Sequence, residues 1–449
     1  MTTTIGQESA KSVESVEARL LRVRGGNRLR GEARISGAKN AALKALAATL
    51  LTADEVVLNS VPMIADVLSM AELLRAFGAE VEIDRERKRV TVRAVAITRT
   101  TAPEHLFRPT RASVVAAGPM LARCGEVSFA LPGGDRIGKR PIDLHLRGFE
   151  RMGAEVRITG DSVVARAAAL QGARIYMDYP SHTGTENLLM AATLASGRTV
   201  IANASAEPEV VWLGNLLNRM GARIAGLGSP YITIEGVDRL HGVAETVLPD
   251  RLEAGTFAIA AAMTGGDVTL RNVREADMLP LSEKLREAGA EIWYWDDLMM
   301  IRPGTKLRAV DIQTLPFPGF PTDLQAQFVA LLTQAEGVSR VHERVYEDRL
   351  RYANELRKLG ADIRIERYGA HGERLSTTAE VVGPARLTGA HVQALDIRAG
   401  TSLVLAGLVA DGEVAIGDAY HIDRGYEDFV AKLARLGADL DDPGPPAPA

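Results

Sequence analysis

The sequence predicts two globular α/β domains built from six copies of one unit, on three observations. At 449 residues the chain exceeds one small core, so two to three domains follow from length alone. A phrase in which an amphipathic helix runs into Gly-Ala and then a strand recurs six times. Between the copies lie six Ala- and Leu-rich stretches that are apolar nearly all round.

In chain order the copies are LLRAFGAEVEI, GFERMGAEVRI, LLNRMGARIAG, KLREAGAEIWY, ELRKLGADIRI and KLARLGADLDD. Their glycines, Gly78, Gly153, Gly221, Gly289, Gly360 and Gly437, stand 75, 68, 68, 71 and 77 residues apart by subtraction. A glycine there takes the left-handed conformation that closes a helix, and the alternation of AEVEI reads as a strand. Each copy follows a second helix, a short turn and a strand. These stretches are KNAALKALAATLLTADEVVL, RASVVAAGPMLARCGEVSFA, TENLLMAATLASGRTVIA, EAGTFAIAAAMTGGDVTL, DLQAQFVALLTQAEGVSRVH and GTSLVLAGLVADGEVAI. A helix apolar on all sides belongs inside, whereas the KLREAGAE type keeps one polar face. Each unit thus supplies an inner helix, an outer helix and several strands. An elongated solenoid with a scaffold role is the alternative. Solenoid repeats run about 20–45 residues, well short of these units, which favours two domains of three units with a boundary near Pro249, Asp250 and Arg251.

Composition narrows the function. Hydrophobic residues at 46% and charged residues at 24% are the balance of a chain that buries a large core. The net charge of -4, from 53 basic and 57 acidic side chains with no single-sign block, gives no footprint for nucleic acid or a membrane surface. Any anion must therefore be met by locally placed Arg and Lys. Cys124, the one cysteine, excludes an intramolecular disulfide and a multi-Cys zinc site and suits a reducing compartment. The eight histidines are scattered without an HExxH pairing, so no structural metal is expected. The start, MTTTIGQESAKSVESVEARLL, is not a secretory signal, and no apolar run reaches the length of a membrane span. A cytoplasmic protein is expected, with residues 1–16 and the end of the tail DDPGPPAPA, 446–449, disordered.

No phosphate loop, dinucleotide fingerprint or GxSxG elbow is present. Instead, basic residues recur at loop–helix junctions of different repeats: Lys39 in SGAKNAA, Arg111 in PTRAS, Arg140 in GKRPIDLH, Arg349 in YEDRL, Arg398 in DIRAGTS and Arg424 in HIDRGY. Each alone reads as a surface charge. Their equivalent placement points to convergence on a small polyanion, because Arg forks match carboxylate and phosphate and helix N-termini add aligned N–H groups. Asp323 in PGFPTDLQ reads either as a helix N-cap after Pro321-Thr322 or as a functional carboxylate. Asp135 in LPGGDRIGKRP reads as a turn residue in Gly-Gly-Asp.

The ordered segments GGNRLRGEARISGAKNAALK, RASVVAAGPMLA, LPGGDRIGKRPIDLHLRG, TGTENLLMAATLA, EPEVVWLGNLLNRMGA, PDRLEAGTF, LPFPGFPTDLQAQF, DIRAGTSLVLAGLVADG and HIDRGYE together resemble the UDP-N-acetylglucosamine 1-carboxyvinyltransferase family, from about Leu21 to Asp442. These enolpyruvyl transferases open peptidoglycan synthesis. The sister 5-enolpyruvylshikimate-3-phosphate synthases look less similar over the GGD loop and FPTD. The resemblance implies a two-domain inverse αβα sandwich of six βαβαββ units, three per domain. One domain would hold both chain ends, 17–38 with 249–445, and the other 39–248. The site would lie in the cleft between them under a mobile loop at about 131–140. It also implies phosphoenolpyruvate and UDP-N-acetylglucosamine as substrates, no metal or cofactor, and no obligate protein partner.

Carried over by position, Lys39, Asn40, Arg140, Arg398 and Arg424 resemble the phosphoenolpyruvate cradle. Asn40, Arg111, Asp323 and Val345 resemble contacts to the nucleotide sugar. Arg140, Pro141, Ile142, Asp143 and Leu144 match the uridine-binding segment, and Ser181, Thr183 and Gly184, in a TGTEN turn, match the diphosphate site. Asp323 would be the general base, Asp135 a proton-exchanging acid, Lys39 and Arg398 catalytic cations, and Arg349 and Asp396 their supports. The family commonly has a cysteine, the target of fosfomycin, where Asp135 stands, so a fosfomycin-insensitive enzyme is expected. His182 and Thr183 replace small residues, and Trp212 stands where aspartate is common. These departures leave two alternatives: an enolpyruvyl transferase for another uridine nucleotide, or a silent UDP-sugar-binding paralogue.

Overall fold

The computed structural model describes residues 19–108, 111–133, 137–138, 141–304, 306–368 and 376–444. The expected tails, 1–16 and 446–449, lie outside them, as do residues 17–18 and 445. Two separate hydrophobic cores organise the chain. One gathers side chains from Leu21–Ile35 and Leu252–Leu436, the other from Ala38–Leu248. The chain passes from one core to the other at 36–39 and returns at 248–251, where Gly37 bridges Pro249 and the Ala38 N–H donates to Leu248 O at 2.7 Å. A Cβ on Gly37 would lie 1.9 Å from Ser60 O, so only glycine fits this crossing.

The six inner helices are Lys39–Ala48, Ala117–Cys124, His182–Ala192, Arg251–Met263, Gln325–Leu332 and Ile397–Gly407. Every residue of Ile397–Gly407 and of Gln325–Leu332 is buried, as their all-round apolar character requires. The outer helices Ala65–Phe77, Asp143–Arg151, Pro208–Arg219, Glu275–Glu287, Ala353–Lys358 and Phe429–Arg435 each run into one of the six repeat glycines. All six glycines have positive φ, from 89° at Gly153 to 107° at Gly78. The stretch RASVVAAGPM departs from one continuous helix: it opens as a 3₁₀ turn, Arg111–Ala116, and becomes α-helical at Ala117.

Each unit contributes a small sheet among the described residues. Several are completed from elsewhere in the chain. Ala244–Thr246 joins Glu55–Asn59 in parallel, and Arg30–Arg34 joins Asp267–Arg271 in parallel. Leu21–Arg24 lies antiparallel between Glu413–Gly417 and Asp439–Asp441, so the first strand closes the last sheet. The two ends of the described chain therefore share one core, and the inner helices that begin at Lys39, His182, Arg251 and Ile397 place their first residues on a cavity between the cores.

Candidate active site

A cavity of about 720 Å³ opens between the cores, walled by residues of both. Lys39 is the first residue of its inner helix and Arg398 the second of its own. Asp396 caps the latter helix, its Oδ1 accepting the Arg398 and Ala399 N–H groups at 2.8 and 2.9 Å. Asp250 serves two helices at once: Oδ1 accepts from Leu252 and Glu253 N–H, and Oδ2 from Lys39 N–H at 3.1 Å. Of the side chains expected at loop–helix junctions, Lys39 and Arg398 are thus delivered by α-helix N-termini, where the dipole favours an anion, Arg111 and Arg349 open 3₁₀ turns, and Arg424 follows the C-terminal end of the short helix Tyr420–Asp423.

Asp323 sits in the 3₁₀ turn Thr322–Leu324 and is not a cap. Its Oδ1 accepts from Arg349 Nη2 at 2.9 Å and its Oδ2 from Arg398 Nη2 at 3.1 Å, with both guanidinium groups buried. Burial opposes the carboxylate, but the charges of Arg398 and Arg349 override it and hold Asp323 well below the usual range. Among the described residues one buried nitrogen of Arg398, Nη1, has no hydrogen-bond partner, and the guanidinium stands 5.0 Å from the Tyr426 ring centroid. A buried cationic donor left open beside a cavity is a place for an incoming anion.

Across the cleft, Lys39 Nζ lies 2.7 Å from Asp66 Oδ2, and Arg424 Nε donates to Asp66 Oδ1 at 3.1 Å. Lys39 and Asn40 line the cavity, and Arg424 is joined to Lys39 through Asp66. Pro141, Asp143, Leu144, Ser181 and Thr183 line the wall, and so does Arg111, which donates to Pro132 O at 3.4 Å. Ile142 instead faces the core, and Gly184 packs behind the wall against Met177 and Ser181. TGTEN is not a turn but the start of the helix His182–Ala192, capped by Ser181 Oγ accepting Gly184 N–H at 3.1 Å. Val345 lines the cavity, though its N–H is given to Glu343 Oε1 at 2.7 Å. Asp135 and Arg140 lie outside the described residues.

Several groups in or beside the cavity were not foreseen. Asp66 is one, because an acid in the first turn of an outer helix reads as an ordinary dipole partner. Arg251, first in its helix, binds Glu207 and Glu209 from the opposite core, and Glu207 also accepts the Phe317 N–H at 3.1 Å. Lys44 also lines the cavity, from a helix that reads as apolar, and so does His182, which the sequence marks only as replacing a small residue. His145, beneath Leu144, is buried and neutral: Asn187 Nδ2 donates to its Nδ1 at 2.9 Å, and burial, aided by Arg111, pushes it down to about 3.

Repeat halves facing across a cleft, with helix-borne cations converging on it, define an enolpyruvyl-transferase fold. The family pattern of EPSP synthase (3-phosphoshikimate 1-carboxyvinyltransferase) matches residues 23–433. The solved enolpyruvyl transferase NikO from Streptomyces tendae superposes with a TM-score of 0.84 at 27% identity, over 95% of this chain and 99% of that one. EPSP synthase from Acinetobacter baumannii superposes at 0.73 and 17% identity, over 95% and 100%, a likeness of fold alone. Nearer in sequence is a UDP-N-acetylglucosamine 1-carboxyvinyltransferase of Magnetococcus marinus, 52% identical over 420 residues, 93% of this chain and 98% of that one. One from Carboxydothermus hydrogenoformans is 48% identical over 421 residues, 93% and 98% of the two chains. The chain belongs to the UDP-N-acetylglucosamine 1-carboxyvinyltransferase family. Among the described residues no helix is long and apolar enough to cross a membrane.

Proposed function

We propose that this enzyme transfers the enolpyruvyl group of phosphoenolpyruvate to the 3-hydroxyl of UDP-N-acetylglucosamine, releasing phosphate, the first committed step of peptidoglycan synthesis. The observation that carries the reading is Asp323, a cavity-facing carboxylate clamped between Arg349 and Arg398 opposite the Lys39 helix. The cores 21–35 with 252–436 and 38–248 support a division into domains 17–38 with 249–445 and 39–248, with substrates held between them.

In this reading Lys39, Arg140, Arg398 and Arg424 meet the phosphate and carboxylate of phosphoenolpyruvate, and Asn40 serves both substrates. Arg111, 140–144, Ser181, Thr183, Gly184 and Val345 meet the UDP-sugar, Ile142 and Gly184 through backbone because their own positions face inward. Asp135 protonates C3 while the sugar oxygen bonds to C2. The product of addition is a tetrahedral ketal. Loss of a C3 proton then restores the double bond as the C2–O bond to phosphate breaks. Asp323 takes the hydroxyl proton. Two arginines make it a weak base, so transfer comes late, once the forming C–O bond has acidified that proton. Lys39 and Arg398 stabilise the charge moving onto phosphate.

The test is phosphate release from phosphoenolpyruvate with UDP-N-acetylglucosamine or with UMP as the added acceptor. Release with the UDP-sugar supports the reading; release with UMP alone favours an enolpyruvyl transferase for another uridine nucleotide; silence with both leaves a binding protein. Because Asp135 replaces a thiol, fosfomycin produces no time-dependent inactivation of the wild type, and Asp135→Cys introduces it.

A further inference from the structure

Beside the Asp323 and Asp66 clusters, the cavity wall holds a third group of charges, none of which bonds to either aspartate among the described residues. Lys44, on the same helix as Lys39, lines the cavity although it is only 3% exposed, and its Nζ lies 3.4 Å from Glu186 Oε2. His182 lines the same wall, its side chain 24% exposed and its Nε2 3.1 Å from Glu186 Oε1. Glu186 itself is fully buried. A carboxylate without solvent is costly unless it holds cations, and this one holds one basic group on each oxygen.

The charged groups facing the imidazole are Glu186 on its own helix, Lys44 on the Lys39 helix and Glu209 on the Pro208–Arg219 helix. Glu209 is already engaged by Arg251, whose Nε donates to it at 3.1 Å. Burial works against the imidazolium, but Glu186 outweighs it, so the ring holds its proton to higher pH than an ordinary histidine. With Nε2–H turned to Glu186, Nδ1 is the nitrogen that changes state. It offers a lone pair when the ring is neutral and an N–H when it is protonated. The ring stands at the first turn of an eleven-residue helix, between Ser181 and Thr183, which also line the cavity.

We infer that His182, fixed by Glu186 and seconded by Lys44, is a binding and specificity residue for the acceptor nucleotide, donating Nδ1–H to its diphosphate. The inference rests on the UDP-sugar reading above. Two of the three anionic groups of the substrate pair, the carboxylate and phosphate of the small donor, are met by the set around Lys39 and Arg398. The diphosphate is the group left for a separate cationic cluster, and a cavity of about 720 Å³ has room for the larger substrate.

The test is the acceptor KM from phosphate release at saturating phosphoenolpyruvate, over about pH 6.5–9, in wild type and His182→Val. In wild type the KM for UDP-N-acetylglucosamine rises by about tenfold as the ring loses its proton. In the variant it is high throughout and flat, while the KM for phosphoenolpyruvate keeps the wild-type profile. A variant with the wild-type acceptor KM and slope overturns the inference. A second readout needs no folded variant: the imidazole resonances of wild-type protein are titrated with and without UDP-N-acetylglucosamine. The His182 titration moves to higher pH with the nucleotide bound, and an unmoved titration overturns the contact. If wild type releases no phosphate with this acceptor, the functional reading fails, and the ring titration alone decides whether His182 meets the nucleotide.

Discussion

The two halves of the molecule repeat the same unit three times each, yet they hold their charges differently. In the half with the core 252–436, Arg349 and Arg398 share Asp323, and neither arginine titrates near neutral pH. That half is a fixed electrostatic frame. In the half with the core 38–248, the cavity wall carries two histidines, His145 held neutral and His182 inclined to be charged. One of its two lysines, Lys39, leans on Asp66, which also holds Arg424 from the other core. The comparison teaches that one repeat scaffold supplies a permanent anion anchor on one side and a proton-responsive wall on the other.

The largest expected effect tests the frame. Arg398→Lys keeps the charge but loses the fork that reaches Asp323, and steady-state kinetics should show kcat/KM lowered by about 10²–10³-fold. Next comes the tie between the halves. Asp66→Ala takes one carboxylate partner from Lys39 and one from Arg424, both largely buried, and denaturant unfolding should show a loss of about 2 kcal/mol. Stability unchanged by that substitution would mean that the halves are held together elsewhere.

A smaller effect separates the halves by pH. His145 titrates at about 3 in the folded chain against 6.5 for a histidine free in solution, so below 6.5 the unfolded chain binds the proton and the folded chain does not. Stability from this residue is complete above 6.5 and falls as the solution is acidified, by about 1.4 kcal/mol per pH unit. Hydrogen exchange at about pH 5 should show the 38–248 core loosening before the 252–436 core. His145→Phe flattens that dependence while lowering stability at neutral pH through the lost Asn187 bond.

Most of the fold was readable because its punctuation is local. A glycine closing each outer helix and an all-round apolar inner helix are properties of short segments, and the six inner and six outer helices fall on those segments, whereas the 3₁₀ opening at Arg111–Ala116 and the short helices Glu104–Phe107 and Tyr420–Asp423 carry no such signal. Of the candidate site, Lys39 and Arg398 were readable as charges at loop–helix junctions, and both stand at helix N-termini on the cavity, whereas Asp396 came from the resemblance alone. The site was not readable where the fold creates the meaning. Lys39 and Arg424, distant in sequence, converge on Asp66, and Lys44 and His182 converge on a buried Glu186. Thr183-Gly184 suggested a turn, and the Ser181 cap together with the apolar run beyond it made a helix instead.

The most direct test of the account is acceptor-dependent phosphate release by wild type beside Asp323→Ala. The account predicts release from phosphoenolpyruvate only when UDP-N-acetylglucosamine is present, with the variant slower by at least about 10²-fold. Release independent of the acceptor, or a variant as fast as wild type, would contradict both the reaction and the role given to the carboxylate between the two arginines.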